Sequence, residues 1–195
     1  ENASNAVTID LTEEFAIDGL GNTDTLISIE GTEGSSFDDE ITGSGANNEL
    51  RGLDGADQIF GLGGADRLIG GFGADMIEGN TGNDRILGEN GRDKLFGNDG
   101  ADRIFGGRST DEIRGGVGAD SLFGGRGVDE ILGGRGNDVI AGGRGSDEMT
   151  GGTGADVFVF ARNNGRDSIL DFENNRDQLD LTAFGFDRPA DVRAL

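Results

Sequence analysis

The sequence predicts an all-β fold, a solenoid of short parallel strands with 18 residues per turn and non-repeat β caps at both ends. Three observations predict it. Residues 34–159 divide without insertion into fourteen nonapeptides. The chain holds 39 glycines in 195 residues, a density that nearly excludes helix. One apolar residue recurs at a fixed phase of every nonapeptide, where the period-two alternation of a strand turns a single side chain inward.

The columns of the repeat define each element in turn. Column one is Gly in all fourteen units, from Gly34 to Gly151, and column eight is apolar in all fourteen, as in Ile41, Ile77, Leu122, Met149 and Phe158. Column six is Asp in thirteen, the exception being Asn48; column four is Gly in eleven, broken by Phe37, Ala46 and Ser109. Column two is Gly in seven, with Leu53, Leu62, Asn80, Glu89 and Asn98 among its replacements. Each unit therefore reads as a Gly-rich six-residue turn followed by a three-residue strand centred on column eight. Two units complete one revolution, so unit n lies above unit n−2 at the ordinary strand spacing of about 4.8 Å.

A solenoid has two open ends, and the flanks read as their caps. Residues 1–33 carry β alternation at Val7, Ile9 and Leu11 and again at Leu26, Ile27 and Ile29. Residues 160–195 leave the period and, with the end of the last unit, supply Phe158, Phe160, Phe172, Phe184 and Phe186, while Pro189 reads as peripheral. The division is thus 1–33, 34–159 and 160–195. The chain begins at Glu1 rather than Met, which reads as an excised or processed segment. No apolar run spans a membrane and no signal peptide is visible.

Net charge is −22, from 38 acids against 16 bases, with no His, Cys, Trp or Tyr. Such a chain repels nucleic acid and anionic membrane and attracts cations. With only 33% hydrophobic residues, it is too poor in apolar surface for a conventional layered core, and something outside the sequence completes the fold. An 18-residue turn stacks Asp57, Asp75, Asp93, Asp111, Asp129 and Asp147 in one column and Asp66, Asp84, Asp102, Asp120, Asp138 and Asp156 in the other, with Asp39 and Asn48 at the first turn. Unit charges about 4.8 Å apart repel by roughly 1 kcal/mol per pair even at the dielectric constant of water. A hard divalent cation between neighbours reverses that sign, and Ca²⁺ takes six to eight oxygens in a flexible shell. Mg²⁺ demands a small octahedron, and Zn²⁺ has no His or Cys to bind. Ten gaps between stacked Asp give about ten calcium ions, and Asp39 and Asn48 raise the number to 12. Ten ions bring +20 against −22.

The glycine and aspartate columns match G-G-x-G-x-D-x-U-x, where U is apolar, and so the chain resembles the RTX, or hemolysin-type calcium-binding, repeat family of secreted bacterial proteins. The resemblance extends to "DVFVF" and "NNGRDSILDFENNRDQLDLTAFGF" after the repeats. It implies a calcium-loaded right-handed parallel β-roll, a secreted, extracellular or cell-surface location, passage through a type I secretion channel and attachment to a larger polypeptide. It also implies that backbone carbonyls of columns one to four in two stacked turns complete each calcium shell. These map onto Gly106, Gly115, Gly124, Gly133 and Gly142 in column one and Gly116, Gly125, Gly134, Gly143 and Gly152 in column two. They map onto Arg108, Val117, Arg126 and Arg135 in column three and Gly118, Gly127, Gly136, Gly145 and Gly154 in column four. Phe37, Ala46 and Asn48 depart from the pattern in the first two units, and Ser109 sets a Cβ where glycine is preferred near Asp111. In the C-terminal segment, Asp167, Asp171, Asp177 and Asp180 are either ligands of one further ion or surface acids.

Two features stand beside the calcium columns. Arg108, Arg126 and Arg144 form one column-three ladder, with Arg135 on the other and Glu112, Glu130 and Glu148 in the units of the three arginines. They are a contact for a polyanion such as an acidic polysaccharide, or exposed charge that keeps the solenoid soluble. Column nine offers an apolar stripe, Ile69, Leu87, Phe105, Phe123 and Ala141, which is either an outward surface for packing against another domain or copy, or a stripe covered by a cap or partly buried. Two functions compete: a module that folds on calcium outside the cell and supports secretion and stability of a larger protein, and an adhesive or polysaccharide-binding module with structural calcium. Catalysis is disfavoured. There is no His, Cys or Tyr, Lys94 is the sole lysine, and the acids are claimed by metal.

Overall fold

The structure is a computed structural model that describes residues 5–162 and 164–184. Its strands, in chain order, are β1 Thr8–Asp10, β2 Phe15–Ile17, β3 Thr23–Thr25, β4 Gly31–Glu33, β5 Glu40–Ser44, β6 Glu49–Asp54, β7 Gln58–Leu62, β8 Arg67–Phe72, β9 Met76–Thr81 and β10 Arg85–Asn90. They continue as β11 Lys94–Asp99, β12 Arg103–Arg108, β13 Glu112–Val117, β14 Ser121–Arg126, β15 Glu130–Arg135, β16 Val139–Arg144, β17 Glu148–Thr153, β18 Val157–Val159, β19 Ser168–Ile169 and β20 Gln178–Asp180. Odd strands from β5 to β19, with β1, β2 and β3 at one end, build an eleven-stranded sheet, and even strands from β4 to β20 build a nine-stranded one. All strands from β6 onward pair in parallel with the strand two earlier, as in Ile86↔Ile104 and Ile113↔Ile131. Across the repeats the offset is 18 residues. The chain is therefore the parallel solenoid that its periodicity predicts.

The core is one inward column from each sheet. Ile41, Leu50, Ile59, Leu68, Ile77, Ile86, Leu95, Ile104, Ile113, Leu122, Ile131, Ile140, Met149 and Phe158 are all buried, and Ile9 and Leu11 continue the core at the N-terminal end. Each Leu or Ile buried in this way stabilises by about 1.5–3 kcal/mol, a thin reserve for so many ordered residues.

The strands are longer than the three residues expected. Most span six residues, columns seven to three, because the column-two and column-three positions stay in register with the turns above and below and join the ladder, as in Glu89↔Gly107 and Asn90↔Arg108. Only columns four to six turn the corner. Column two takes a left-handed backbone there: Gly107 and Gly125 have φ of 116° and 111°, and Leu53, Leu62, Asn80, Glu89 and Asn98 are held at 72–87°.

At the N-terminal end, β1 lies parallel on β5 through Ile9↔Ile41, and β2 and β3 add antiparallel strands beyond it. The strand expected over residues 26–29 is absent: Ser28 has φ of 55°, Ile27 and Ile29 are exposed, and β4 forms instead at Gly31–Glu33 on β6. At the C-terminal end, β19 and β20 extend both sheets, and Phe172 packs against Phe158 with ring centroids 6.2 Å apart. Phe186 and Pro189 lie outside the described residues. No helix among the described residues is long and apolar enough to cross a membrane.

Candidate metal centre

Column-six side chains turn inward at the corner, at the mouth of the apolar column, which leaves the twelve carboxylates from Asp57 to Asp156 at most 3% exposed. Each Oδ1 accepts the backbone N–H of the column-six residue one turn earlier. Asp57 N–H donates to Asp75 at 2.9 Å, Asp102 N–H to Asp120 at 2.8 Å and Asp138 N–H to Asp156 at 2.9 Å. The second oxygen has no such donor. Oδ2 of Asp57, Asp66, Asp75, Asp84, Asp93, Asp102, Asp111, Asp120, Asp129, Asp138, Asp147 and Asp156 is buried without a hydrogen-bond partner among the described residues. A buried carboxylate oxygen left in that state carries its full desolvation cost.

Column one shows what surrounds the orphaned oxygen. The place a Cβ on Gly133 would take lies 2.5 Å from Asp138 Oδ2 and 2.6 Å from the carbonyl oxygen of Gly151 in the next turn. At Gly115 the next-turn carbonyl of Gly133 stands 2.6 Å from the same point, and at Gly106 that of Gly124 does. Carboxylate and carbonyl oxygens thus converge with no proton between them, in a space that only glycine leaves open. Carbonyls of Gly106, Gly115, Gly124, Gly133 and Gly142 all take this column-one position, each beside the carboxylate of the turn before.

The other carbonyls expected as ligands line the same corner in different states. Column-three carbonyls accept column-four amides of the preceding turn, Val117 from Gly100 at 2.8 Å and Arg135 from Gly118 at 2.7 Å, which occupies one of their two lone-pair directions. Arg108 accepts Gly91 N–H at a longer 3.2 Å, and Arg126 receives no such bond, because its partner in the register is Ser109 rather than glycine. Column-four carbonyls, as in Gly118, Gly127 and Gly136, accept no hydrogen bond among the described residues. No three His, Cys, Asp or Glu side chains come together among those residues. Any cation here draws on main-chain oxygens as well as carboxylates, which is hard-ligand chemistry.

Burial raises the carboxylates out of their ordinary range. Asp57, Asp111 and Asp120 are pushed up to about 7. Asp66, Asp75, Asp93, Asp102, Asp129 and Asp138 are pushed up to about 6. Asp84, Asp147 and Asp156 shift in the same direction. Desolvation is the main cause, opposed by the amide of the preceding column-six residue and, in most, reinforced by the stacked neighbour's charge.

The first turn differs. Asp39 accepts Val7 N–H and the Ser35 hydroxyl on Oδ1 and the Ser35 N–H on Oδ2. Asn48 Oδ1 accepts Ser44 N–H at 2.7 Å, and its Nδ2 donates to the Glu30 carbonyl. Ser35 and Ser44 hydroxyls in turn accept the column-four amides of Phe37 and Ala46. Both side chains are thereby satisfied by protein donors.

Arg108, Arg126 and Arg144 pair in register along β12, β14 and β16 and form no ion pair among the described residues. With Arg162, absent from the sequence expectation because it follows an insertion, they line a shallow groove. Glu112 pairs with Arg114 instead. The column-nine stripe is partly covered: Ile69 is buried, Leu87, Phe105, Phe123 and Ala141 are half-buried, Phe105 and Phe123 stack at 4.9 Å, and Arg85 and Arg103 lie over the Phe105 ring at 5.0 and 5.4 Å.

No curated protein matches the chain. The family model for the RTX calcium-binding nonapeptide repeat (4 copies) matches at residues 33–68, 60–95, 69–104, 96–131 and 123–158, which takes in most of the chain and the whole length of both carboxylate columns. With orphaned carboxylates facing carbonyl oxygens from Asp57 to Asp138 and the model matching across the same residues, the chain belongs to the family of RTX calcium-binding nonapeptide repeats.

Proposed function

We propose that this calcium-binding repeat module folds by binding multiple calcium ions outside the cell, and that in this way it supports secretion and stability of a larger secreted protein. The observation that carries the reading is the set of twelve buried, unpartnered Oδ2 atoms. A cation between turns supplies the positive partner that no protein group supplies, and binding free energy then becomes folding free energy. The proposed ligands are the column-six carboxylates and column-one carbonyls, with column-four carbonyls completing the shell. Calcium supplies charge neutralisation and cross-linking of successive turns; the residues supply oxygens and a glycine corner wide enough to hold them.

Far-UV circular dichroism with calcium titration tests this. A chain unordered in chelator that gains β signal at millimolar calcium is the expected result, and a chain fully β-structured in excess chelator sinks the reading.

The unpaired ladder of Arg108, Arg126 and Arg144 favours a second reading, a contact for an acidic polysaccharide on the folded module. Binding of a soluble polyuronate that is lost in the Arg126→Ala, Arg144→Ala double variant at unchanged calcium content supports it. Unchanged binding removes it.

A further inference from the structure

The C-terminal segment reads as a non-repeat cap in the sequence, yet in the structure it repeats the corner twice more. After two extra residues, Phe160 and Ala161, the segment 164–169 restores the repeat geometry. Asn164 accepts Gly145 N–H as a column-three carbonyl does, and Gly165 bridges Gly145 with φ of 115° in place of a column-four glycine. Asp167 Oδ1 accepts Asp147 N–H at 3.2 Å, and Ile169 pairs with Met149 in column eight. One further extra residue, Asp171, precedes a second restoration. Asp177 Oδ1 accepts Asp156 N–H at 3.1 Å, and Leu179 pairs with Phe158.

Along both columns, Oδ1 points back to the turn before; as far as Asp138, Oδ2 lies beside the next column-one carbonyl, and at Gly142 and Gly151 the nearest atoms are those of Asp147 and Asp156 themselves. Asp147 and Asp156 are 2% and 1% exposed, and their forward oxygens have no hydrogen-bond partner among the described residues. The turns they face are those of Asp167 and Asp177.

On the reading that these columns bind calcium, we propose two further calcium sites, one between Asp147 and Asp167 and one between Asp156 and Asp177, so that the last turns are locked by metal. The string of ions is displaced one turn toward the C-terminus. Its first gaps, at Asp39 and Asn48, are closed by Ser35 and Ser44 amides, while its last gaps reach beyond the nonapeptides. The four acids Asp167, Asp171, Asp177 and Asp180 then do not share one ion. Asp171 instead accepts Gly151 and Gly152 amides at 2.9 and 2.7 Å, and Asp180 accepts Thr182 N–H.

Calcium per chain, measured by equilibrium dialysis in excess calcium on the full chain, tests the proposal against Asp167→Asn, Asp177→Asn and the double variant. Asparagine keeps an Oδ1 to accept the Asp147 or Asp156 amide. The expected result is twelve ions for the parent chain, with one lost in each single variant and two in the double. Amide exchange in β19 and β20 is expected to stay slow in the single variants. An unchanged count in all three variants overturns the proposal, and so does loss of two ions with fast exchange in both strands in either single, which is the mark of a cap that has merely come undocked. A parent chain that binds no calcium overturns the underlying reading as well, whereas a parent that binds ten, with variants that also bind ten, overturns only the cap sites.

Discussion

Gly133 shows how much a single missing Cβ decides. A methyl group there would enter the space shared by Asp138 Oδ2 and the Gly151 carbonyl oxygen, at 2.5 and 2.6 Å. Gly133→Ala is expected to lose one calcium ion and to cost about 1–3 kcal/mol through overpacking, read as a drop in calcium stoichiometry and in thermal midpoint. From sequence alone, column one looks like a turn glycine needed for its dihedral angles. Its φ is not in the left-handed region at all, and the requirement is space for a carboxylate, which becomes visible only when the next turn is in place.

Column two is the reverse case. Leu53 holds φ of 87°, where glycine costs nothing and a branched side chain is strained. Its side chain is 41% exposed, so little burial is forfeited by removing it. Leu53→Gly is expected to stabilise the calcium-loaded fold by roughly 1 kcal/mol, seen as a higher thermal midpoint at fixed calcium.

At the scale of an element, each carboxylate column behaves as one charged device whose sign of pH dependence changes with metal. Without calcium, burial pushes folded carboxylates such as Asp111 and Asp138 up to about 7 and about 6. In the unfolded chain they titrate near 3.8. A carboxylate whose pKa is raised by folding favours the fold fully below the unfolded value, and that contribution is lost as pH rises through the folded value. In chelator, β structure is therefore expected to increase on acidification from pH 8 toward 4, with most of the change between pH 7 and 4; circular dichroism that is flat across that window contradicts it. In calcium the dependence reverses, because protons compete for the same oxygens, and the calcium midpoint is expected to rise as pH falls below 7.

The end elements resolve the same problem in two ways. Ser35 and Ser44 give the first column-six side chains protein donors through their amides, and their hydroxyls hold the next two residues of the corner. At the other end no such donors stand among the described residues for the forward oxygens of Asp147 and Asp156. Ser109, in mid-solenoid, breaks one column-four bond that its neighbours make.

At the scale of the whole molecule, a net charge of −22 and a core one side chain wide per sheet leave little to hold the chain together before cations arrive. Small-angle scattering is expected to show a radius of gyration falling from about 47 Å, the value for an unfolded chain of this length, to below about 20 Å on addition of millimolar calcium. Magnesium at the same concentration is expected to leave the chain expanded, since it holds its water and prefers a rigid octahedron. Equal compaction by both ions contradicts a site built from carbonyls and carboxylates in a flexible corner.

The repeat itself determines a great deal of this protein. A fixed period of nine with one apolar column dictates parallel strands and an 18-residue turn, because a strand can turn only alternate side chains inward and glycine-rich corners forbid helix. The same period aligns like charges, which makes a cation necessary by electrostatics alone. Only the tertiary structure decides the rest. The six-residue strands, the reason for glycine in column one and the unpartnered forward oxygens all depend on the turn above, which the local sequence does not contain. The return of the corner at Asp167 and Asp177 was hidden by insertions of two residues and one, since a strict period stops at the first break. A stacked ladder bulges around such insertions and recovers its register as soon as the next apolar side chain, Ile169 or Leu179, meets the column below it.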